Sequence, residues 1–230
     1  MKTTQIGILG TGPVGKALAA KLSSLGNAVM VGTRDVQATM ARNDNDSFGN
    51  PAFRTWHEQN PTVKVGTLKE AAVFGGLVIN ALSGLGTLEG LRQARAANIT
   101  GKILIDVSNP LDFSKGMPPS LTVSNTDSLG EQIQRELPGA RVVKTLNTVN
   151  AYLQVDPQQL AGGEHSIFVS GNDAAAKEEV TKLLKEGFGW KDVIDLGDIS
   201  TARGTEMFLA LWSRLYGALN NPMFTIRVVR

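Results

Sequence analysis

Gly10, Gly12 and Gly15 fall in the spacing G-x-G-x-x-G, and the chemistry this sequence can do begins there. Each glycine suits one demand of a backbone that must approach a pyrophosphate. Gly10 permits a tight turn, Gly12 the close approach itself, and Gly15 lets the following helix sit near the strand. Pro13 fits a first helical position, where a missing N–H leaves nothing unsatisfied. The unpaired amides of such a helix start face the negative charge of a ligand. A second group follows at Gly32-Thr33-Arg34-Asp35. NAD-selective sites place an acid about 20 residues beyond the glycines, on the ribose 2′-hydroxyl. Gly32 stands in that slot here, and Thr33 with Arg34 offers a hydroxyl and a guanidinium to a 2′-phosphate, so NADP(H) is expected. The competing reading leaves Arg34 as a solvated charge and gives the ribose to Asp35.

Other reactive groups are sparse. The sequence has no cysteine and two histidines, His57 and His165, far apart and without a carboxylate at ligand spacing. Thiolate catalysis, disulfides and Cys-ligated metals are excluded, no metal site is expected, and no Ser-His-Asp triad or carboxylate pair assembles. No protein acid or base is therefore assigned as catalytic. Lys144 ends an apolar run and could meet a substrate or an acid. Asp106 and Ser108 end another, where a nucleotide contact competes with loop capping. Arg203 and Glu206 are spaced for an i,i+3 pair. With 23 Lys and Arg against 21 Asp and Glu, the net charge of +2 is no nucleic-acid footprint. The start, MKTTQIGILG, has too short an apolar run for a signal peptide, and no run of ~18 apolar residues suggests a membrane span. A cytoplasmic protein with no nucleic-acid or membrane partner is the expectation.

The elements that must position these residues alternate. Apolar runs at Ile6–Leu9, Ala28–Val31, Val63–Val65, Leu77–Leu82, Lys102–Val107, Arg141–Lys144, Ser166–Ser170 and Asp192–Leu196 read as strands. Helices are expected at Val14–Leu25, Gln37–Arg42, Phe53–Gln59, from Thr67 onward, and at Thr87–Ala97, Ser128–Leu137, Asp173–Glu186 and Thr201–Leu219. Thr67 and Glu70 have capping-box spacing. Asn43–Asn50 reads as a polar loop, and the apolar tail from Asn221 should pack on something. This order implies an α/β class, a Rossmann-type doubly wound, mostly parallel sheet with a C-terminal helical extension. Ligands should gather at the strand ends Gly10, Gly32, Ala81–Ser83 and Asp106–Asn109.

The segments GTGPVG, GTRD, KILIDVSNP, GARVVKTLNT, FVSGND and DLGDISTARGTEM resemble NADPH-dependent reductases of the deazaflavin coenzyme F420. They are similar also to the cytosolic oxidoreductase domain of the six-transmembrane epithelial antigen metalloreductases. The resemblance covers nearly the whole chain. It implies NADP(H) on a Rossmann domain (1–150), and a smaller C-terminal α/β part (151–230) completing the substrate cleft and a dimer contact. It also implies that Thr11, Gly12, Pro13 and Val14 wrap the pyrophosphate, with Ser83 and Thr87 near the nicotinamide half. Asn147 to Ala151 would close over the ring. The small residues Ala81, Ser83, Gly84 and Gly86 would leave an open shelf beside the nicotinamide for a flat acceptor, and Asn147 and Thr148 would fix the amide and ring orientation by hydrogen bonding. Asn147 stands where the archaeal deazaflavin enzymes carry a histidine. The KTLNT version is closer to the metalloreductases, whose membrane part this sequence does not contain. The implied activity is hydride transfer between NADPH and a flavin-like acceptor, coenzyme F420, FMN or FAD, in a homodimer. Flavin-mediated ferric reduction and a non-catalytic NADPH sensor stay open beside it.

Overall fold

The computed structural model describes residues 4–45 and 49–230. In chain order its first half runs β1 (Gln5–Leu9), α1 (Pro13–Ser24), β2 (Ala28–Thr33), α2 (Val36–Ala41), α3 (Phe53–Gln59) and β3 (Lys64–Thr67). Then come α4 (Leu68–Phe74), β4 (Leu77–Asn80), α5 (Gly84–Ala94) and β5 (Ile103–Asp106). The second half has the ribbon strands β6 (Leu111–Asp112) and β7 (Ser120–Leu121), then α6 (Leu129–Glu136), β8 (Arg141–Thr145) and α7 (Ala151–Val155). It closes with β9 (Ser166–Ser170), α8 (Ala174–Lys182), β10 (Asp192–Asp195) and α9 (Ala202–Leu219). The expected loop at 43–50 falls partly outside the described residues, as does the start of the N-terminal segment.

Among the described residues one eight-stranded sheet forms in the order β10-β9-β8-β5-β4-β1-β2-β3. Every neighbouring pair is parallel except β8 with β9, which run antiparallel. Central strands of such a sheet are covered on both faces, which is why their sequences read as unbroken apolar runs. Successive side chains then enter different cores: Ile8, Ile105 and Val143 on one face, Leu9, Leu104 and Val142 on the other. The chain passes residue 150 within this sheet, and β9 and β10 extend its edge beyond β8.

Local signals account for most boundaries. Thr67 accepts from the Glu70 amide at 3.2 Å and Glu70 accepts from the Thr67 amide at 2.7 Å, completing the capping box of α4. Ser128 and Asp173 cap α6 and α8 through their side chains. Two expectations need correction. The helix placed at Thr87 begins at Gly84, and the helix placed at Asp173–Glu186 passes into a wider π-turn from Leu183. The tail forms no regular element, but Ile226 accepts from the Ser166 amide at 3.0 Å and Val228 donates to Ser166 Oγ at 3.0 Å, at the first residue of β9.

Candidate functional site

β1 pairs with β2 on one side and β4 on the other, so the chain leaves the sheet in opposite directions at this junction. A groove of about 670 Å³ opens above the strand ends there, where doubly wound sheets bind their ligands. Gly10 turns with φ 121°, and a Cβ on it would sit 2.5 Å from the Ala81 carbonyl oxygen. A Cβ on Gly15 would sit 2.1 Å from the Gly10 carbonyl oxygen, whereas nothing lies within 4 Å of one on Gly12. Gly10 and Gly15 thus serve the fold, and the space beside Gly12 is left to the groove. Gly12 is the N-cap of α1, Pro13 follows it, and no side chain caps the helix nor acid occupies its first turn. The first amides of α1 therefore stay available to an anion. Thr11 lines the groove, while Val14 packs toward the core.

Thr33, Arg34, Asp35 and Arg42 line the other end of this groove. Arg34 is exposed. Thr33 is 7% exposed, and its hydroxyl lies 2.7 Å from that of Thr39, a buried residue that sequence reasoning missed. Asp35 Oδ1 accepts from the Ala38 amide at 2.8 Å and caps α2. Gly32, where the sequence lacks the expected acid, lines the groove at the end of β2, and the packing around it leaves no room for a larger side chain. A Cβ there would lie 2.8 Å from Ala71 Cβ and 3.0 Å from Leu68 Cα, so this glycine seats α4 against β2.

Toward β4, Ser83 and Gly86 line the groove with Ala81. Thr87 does not: it is fully buried and its hydroxyl donates to the Ser83 carbonyl at 3.0 Å. Gly84 does not form an open shelf either, because a Cβ on it would meet the Asn109 carbonyl oxygen at 1.9 Å. The early start of α5 presses this residue against the 109–110 backbone. Asn147 and Thr148 are 3% and 2% exposed and line neither this groove nor the cleft beside it. Asn147 Nδ2 donates to Asn109 Oδ1 at 2.9 Å, and Asn109 Nδ2 donates to the Asn147 carbonyl at 2.8 Å. Thr148 lines a separate small cavity with Phe168 and Phe208.

Under these loops lies a buried polar cluster. Lys144 Nζ donates to Asp106 Oδ2 at 2.8 Å and the Ser108 carbonyl at 2.6 Å, and pairs with Glu206 Oε1 at 2.8 Å. Asp106 also accepts from Asn80 Nδ2 at 2.7 Å and Ser108 Oγ at 2.7 Å. Glu206 accepts the Leu129 and Gly130 amides at 2.8 and 2.9 Å, at the start of α6. Burial opposes the Lys144 ammonium, but the two carboxylates outweigh it and hold its pKa above the ordinary lysine value. The expected Arg203–Glu206 pair does not form. Arg203 Nε instead donates to Glu131 Oε2 at 2.8 Å. Of the two outcomes open for Lys144, Asp106 and Ser108, the structure shows mutual satisfaction inside the protein.

A second cleft, about 370 Å³, is lined by Pro13, the residue after Gly12 of the first groove. Ala151 and Tyr152 at the start of α7 line it, facing Phe113 and Met117 from the ribbon and Trp212 and Tyr216 from α9. Trp212 stacks on Tyr216 and Phe224, with ring centroids 5.7 and 5.1 Å apart. Sequence reasoning missed this wall. Its one signal was that Trp212 and Tyr216 stand four apart on the long helix. The histidines lie elsewhere. His57 Nε2 donates to the Val63 carbonyl at 2.8 Å, and His165 packs edge-on against Trp190 with ring centroids 5.0 Å apart. Among the described residues no group of three or more His, Cys, Asp or Glu could hold a metal ion, and no helix is long and apolar enough to cross a membrane.

Residues 5–110 match the family described as NADP oxidoreductase coenzyme F420-dependent. A solved structure from Arthrobacter sp. FB24, named as a candidate F420-dependent NADP reductase, is 53% identical with a TM-score of 0.94, covering 99% of this chain and 100% of that one. The F420-dependent NADP reductase of Methanothermobacter marburgensis is 26% identical over 92% of this chain and 90% of its own. Metalloreductase STEAP3 of Rattus norvegicus is 27% identical over 88% of this chain. The chain spans about a third (36%) of the length of that metalloreductase.

Proposed function

The chain belongs to the family of coenzyme F420-dependent NADP oxidoreductases, and from that premise we propose that it passes a hydride between NADPH and a flavin-like acceptor, coenzyme F420 or a flavin. The observation that carries this reading is that consecutive residues, Gly12 and Pro13, line two different clefts, the first glycine-walled with Thr33 and Arg34 at one end, the second largely apolar and aromatic. A dinucleotide laid along the first from Arg34 past Gly12 would bring its nicotinamide half toward Ser83 and the mouth of the second. A flat ring held among Tyr152, Trp212 and Tyr216 would then stack on it. Direct hydride transfer needs donor and acceptor carbons about 3–3.5 Å apart and is chiefly a task of positioning. That agrees with walls that offer aromatic faces and hydroxyls, with both histidines lying elsewhere. In this reading residues 151–230 complete the acceptor cleft and supply a homodimer contact.

Asn147 then acts at one remove. Its clasp with Asn109 fixes the two loops behind the nicotinamide site, in place of a direct contact with the ring. A second reading, flavin-mediated ferric reduction, is favoured by the match to the metalloreductases over most of this chain. The test is NADPH oxidation in the presence of coenzyme F420, FMN, FAD, or a ferric chelate with and without added flavin. Turnover with F420 or a flavin alone supports the proposal, and iron-dependent turnover alone favours the second reading. NADPH binding without turnover on any acceptor would leave a redox sensor.

A further inference from the structure

Arg42 lies at the end of α2, and no feature of the glycine motif or the GTRD segment points to it. The helix is short, yet Asp35, Ala38, Thr39 and Arg42 all line the cofactor groove. Ala38 and Thr39 lie on the helix, and Asp35 and Arg42 are the extended residues that flank it, so this side of α2 and both its ends border the groove. That side presents a guanidinium at each end, Arg34 just before the helix and Arg42 just after it. Between them Ala38 carries nothing beyond its methyl group, which leaves room for a ligand. Arg42 is tethered to the wall: Arg42 Nη2 donates to Thr39 Oγ1 at 3.4 Å, and Thr39 Oγ1 is 2.7 Å from Thr33 Oγ1. Among the described residues neither Arg34 nor Arg42 forms an ion pair with a carboxylate.

Charge decides what such a face can hold. A phosphate monoester carries about −1.5 to −2 at neutral pH. Arg34 alone would be cancelled by the adjacent Asp35 carboxylate, giving a locally neutral site for a dianion. Arg42 restores a net positive charge and adds a second fork of donors. We infer that Arg42 is a second specificity-determining residue, binding the 2′-phosphate of NADPH together with Arg34. This rests on the reading of the groove as the NADP(H) site and goes beyond it by assigning the phosphate discrimination to two arginines.

Dissociation constants for NADPH and NADH, measured on the full chain for wild type, Arg42→Ala, Arg42→Lys and Arg34→Ala, test the inference. Competition by adenosine 2′,5′-bisphosphate against 5′-AMP isolates the phosphate from the nicotinamide. Arg42→Ala should weaken NADPH and the bisphosphate about tenfold, the low end for a charged hydrogen bond because the site is open to solvent, and leave NADH and AMP unchanged. Arg42→Lys should recover part of the loss, since it keeps the charge and loses the fork. Wild-type binding of NADPH should fall more steeply with added salt than binding by Arg42→Ala. Unchanged NADPH affinity in Arg42→Ala, or an equal loss for NADH, overturns the inference while a wild-type preference for NADPH keeps the cofactor reading intact. A wild type that binds NADH as tightly as NADPH overturns both.

Discussion

A single absent side chain separates ligand binding from folding in the glycine turn. Gly12 has open space where a Cβ would stand, while Gly10 and Gly15 face backbone oxygens at 2.5 and 2.1 Å. Gly12→Ala should therefore melt at the wild-type temperature yet lose NADPH affinity roughly 100-fold, because the methyl occupies the pyrophosphate's approach. Gly15→Ala should lower stability by about 1–3 kcal/mol through the forced separation of helix and turn. A thermal melt and an NADPH titration of both variants separate the two roles; a stable Gly15→Ala with normal binding would contradict this division. His57 makes a second residue-scale case. Its ring donates to the Val63 carbonyl and lines neither cleft. His57→Gln should keep turnover within a few-fold of wild type, and a loss of about 10²-fold or more would indicate acid–base catalysis of the usual size.

Elements are tied together by charge at two depths. The deep tie is Lys144 on β8, which joins Asp106 of β5 to Glu206 of α9, and through Glu206 the start of α6. Removing the cation strands two buried carboxylates, so Lys144→Met should destabilise by about 3–5 kcal/mol in denaturant unfolding. A change below about 1 kcal/mol would mean that the cluster is hydrated and loosely held. The shallow tie lies along α6. The Arg135 guanidinium beside Asp127 lowers its pKa from 3.8 to about 2, and Arg203 likewise lowers Glu131. A carboxylate whose folded pKa is depressed stabilises the fold above its unfolded pKa, and that contribution disappears as pH falls through the folded value. Asp127 should thus support α6 fully at neutral pH and lose that support between pH about 4 and about 2. Arg135→Ala should move the acid unfolding midpoint upward in a circular-dichroism titration, and an unmoved midpoint would dissociate this pair from acid stability.

The whole molecule contributes the cleft that no segment contains. Its wall takes Phe113 and Met117 from the ribbon, Tyr152 from α7, and Trp212 and Tyr216 from α9, parts of the chain far apart in sequence. Buried aromatic faces gain about 0.5–1.5 kcal/mol from ring stacking beyond the area they cover. Trp212→Ala should therefore raise the acceptor KM about 2- to 13-fold while the NADPH dissociation constant stays unchanged. An equal effect on NADPH would mean that the aromatic wall belongs to the dinucleotide and not to the acceptor.

The sequence by itself determined the sheet and the glycine turn at the groove, because both depend on short-range patterns. Apolar runs mark buried parallel strands, glycine spacing marks a turn, and Thr67 with Glu70 marks a helix start over three residues. Only the tertiary structure decided which side chains line the clefts. Gly84 looked like an opening in sequence, yet the 109–110 backbone fills the space beside it. Arg203 and Glu206 have the spacing of a helical pair, but Glu131 and Lys144 lie closer and take them separately. Arg42 and the aromatic wall were equally hidden, since neither belongs to a motif. The physical reason is shared: a spacing fixes where a side chain leaves its own element, while the elements packed against it fix what it can touch.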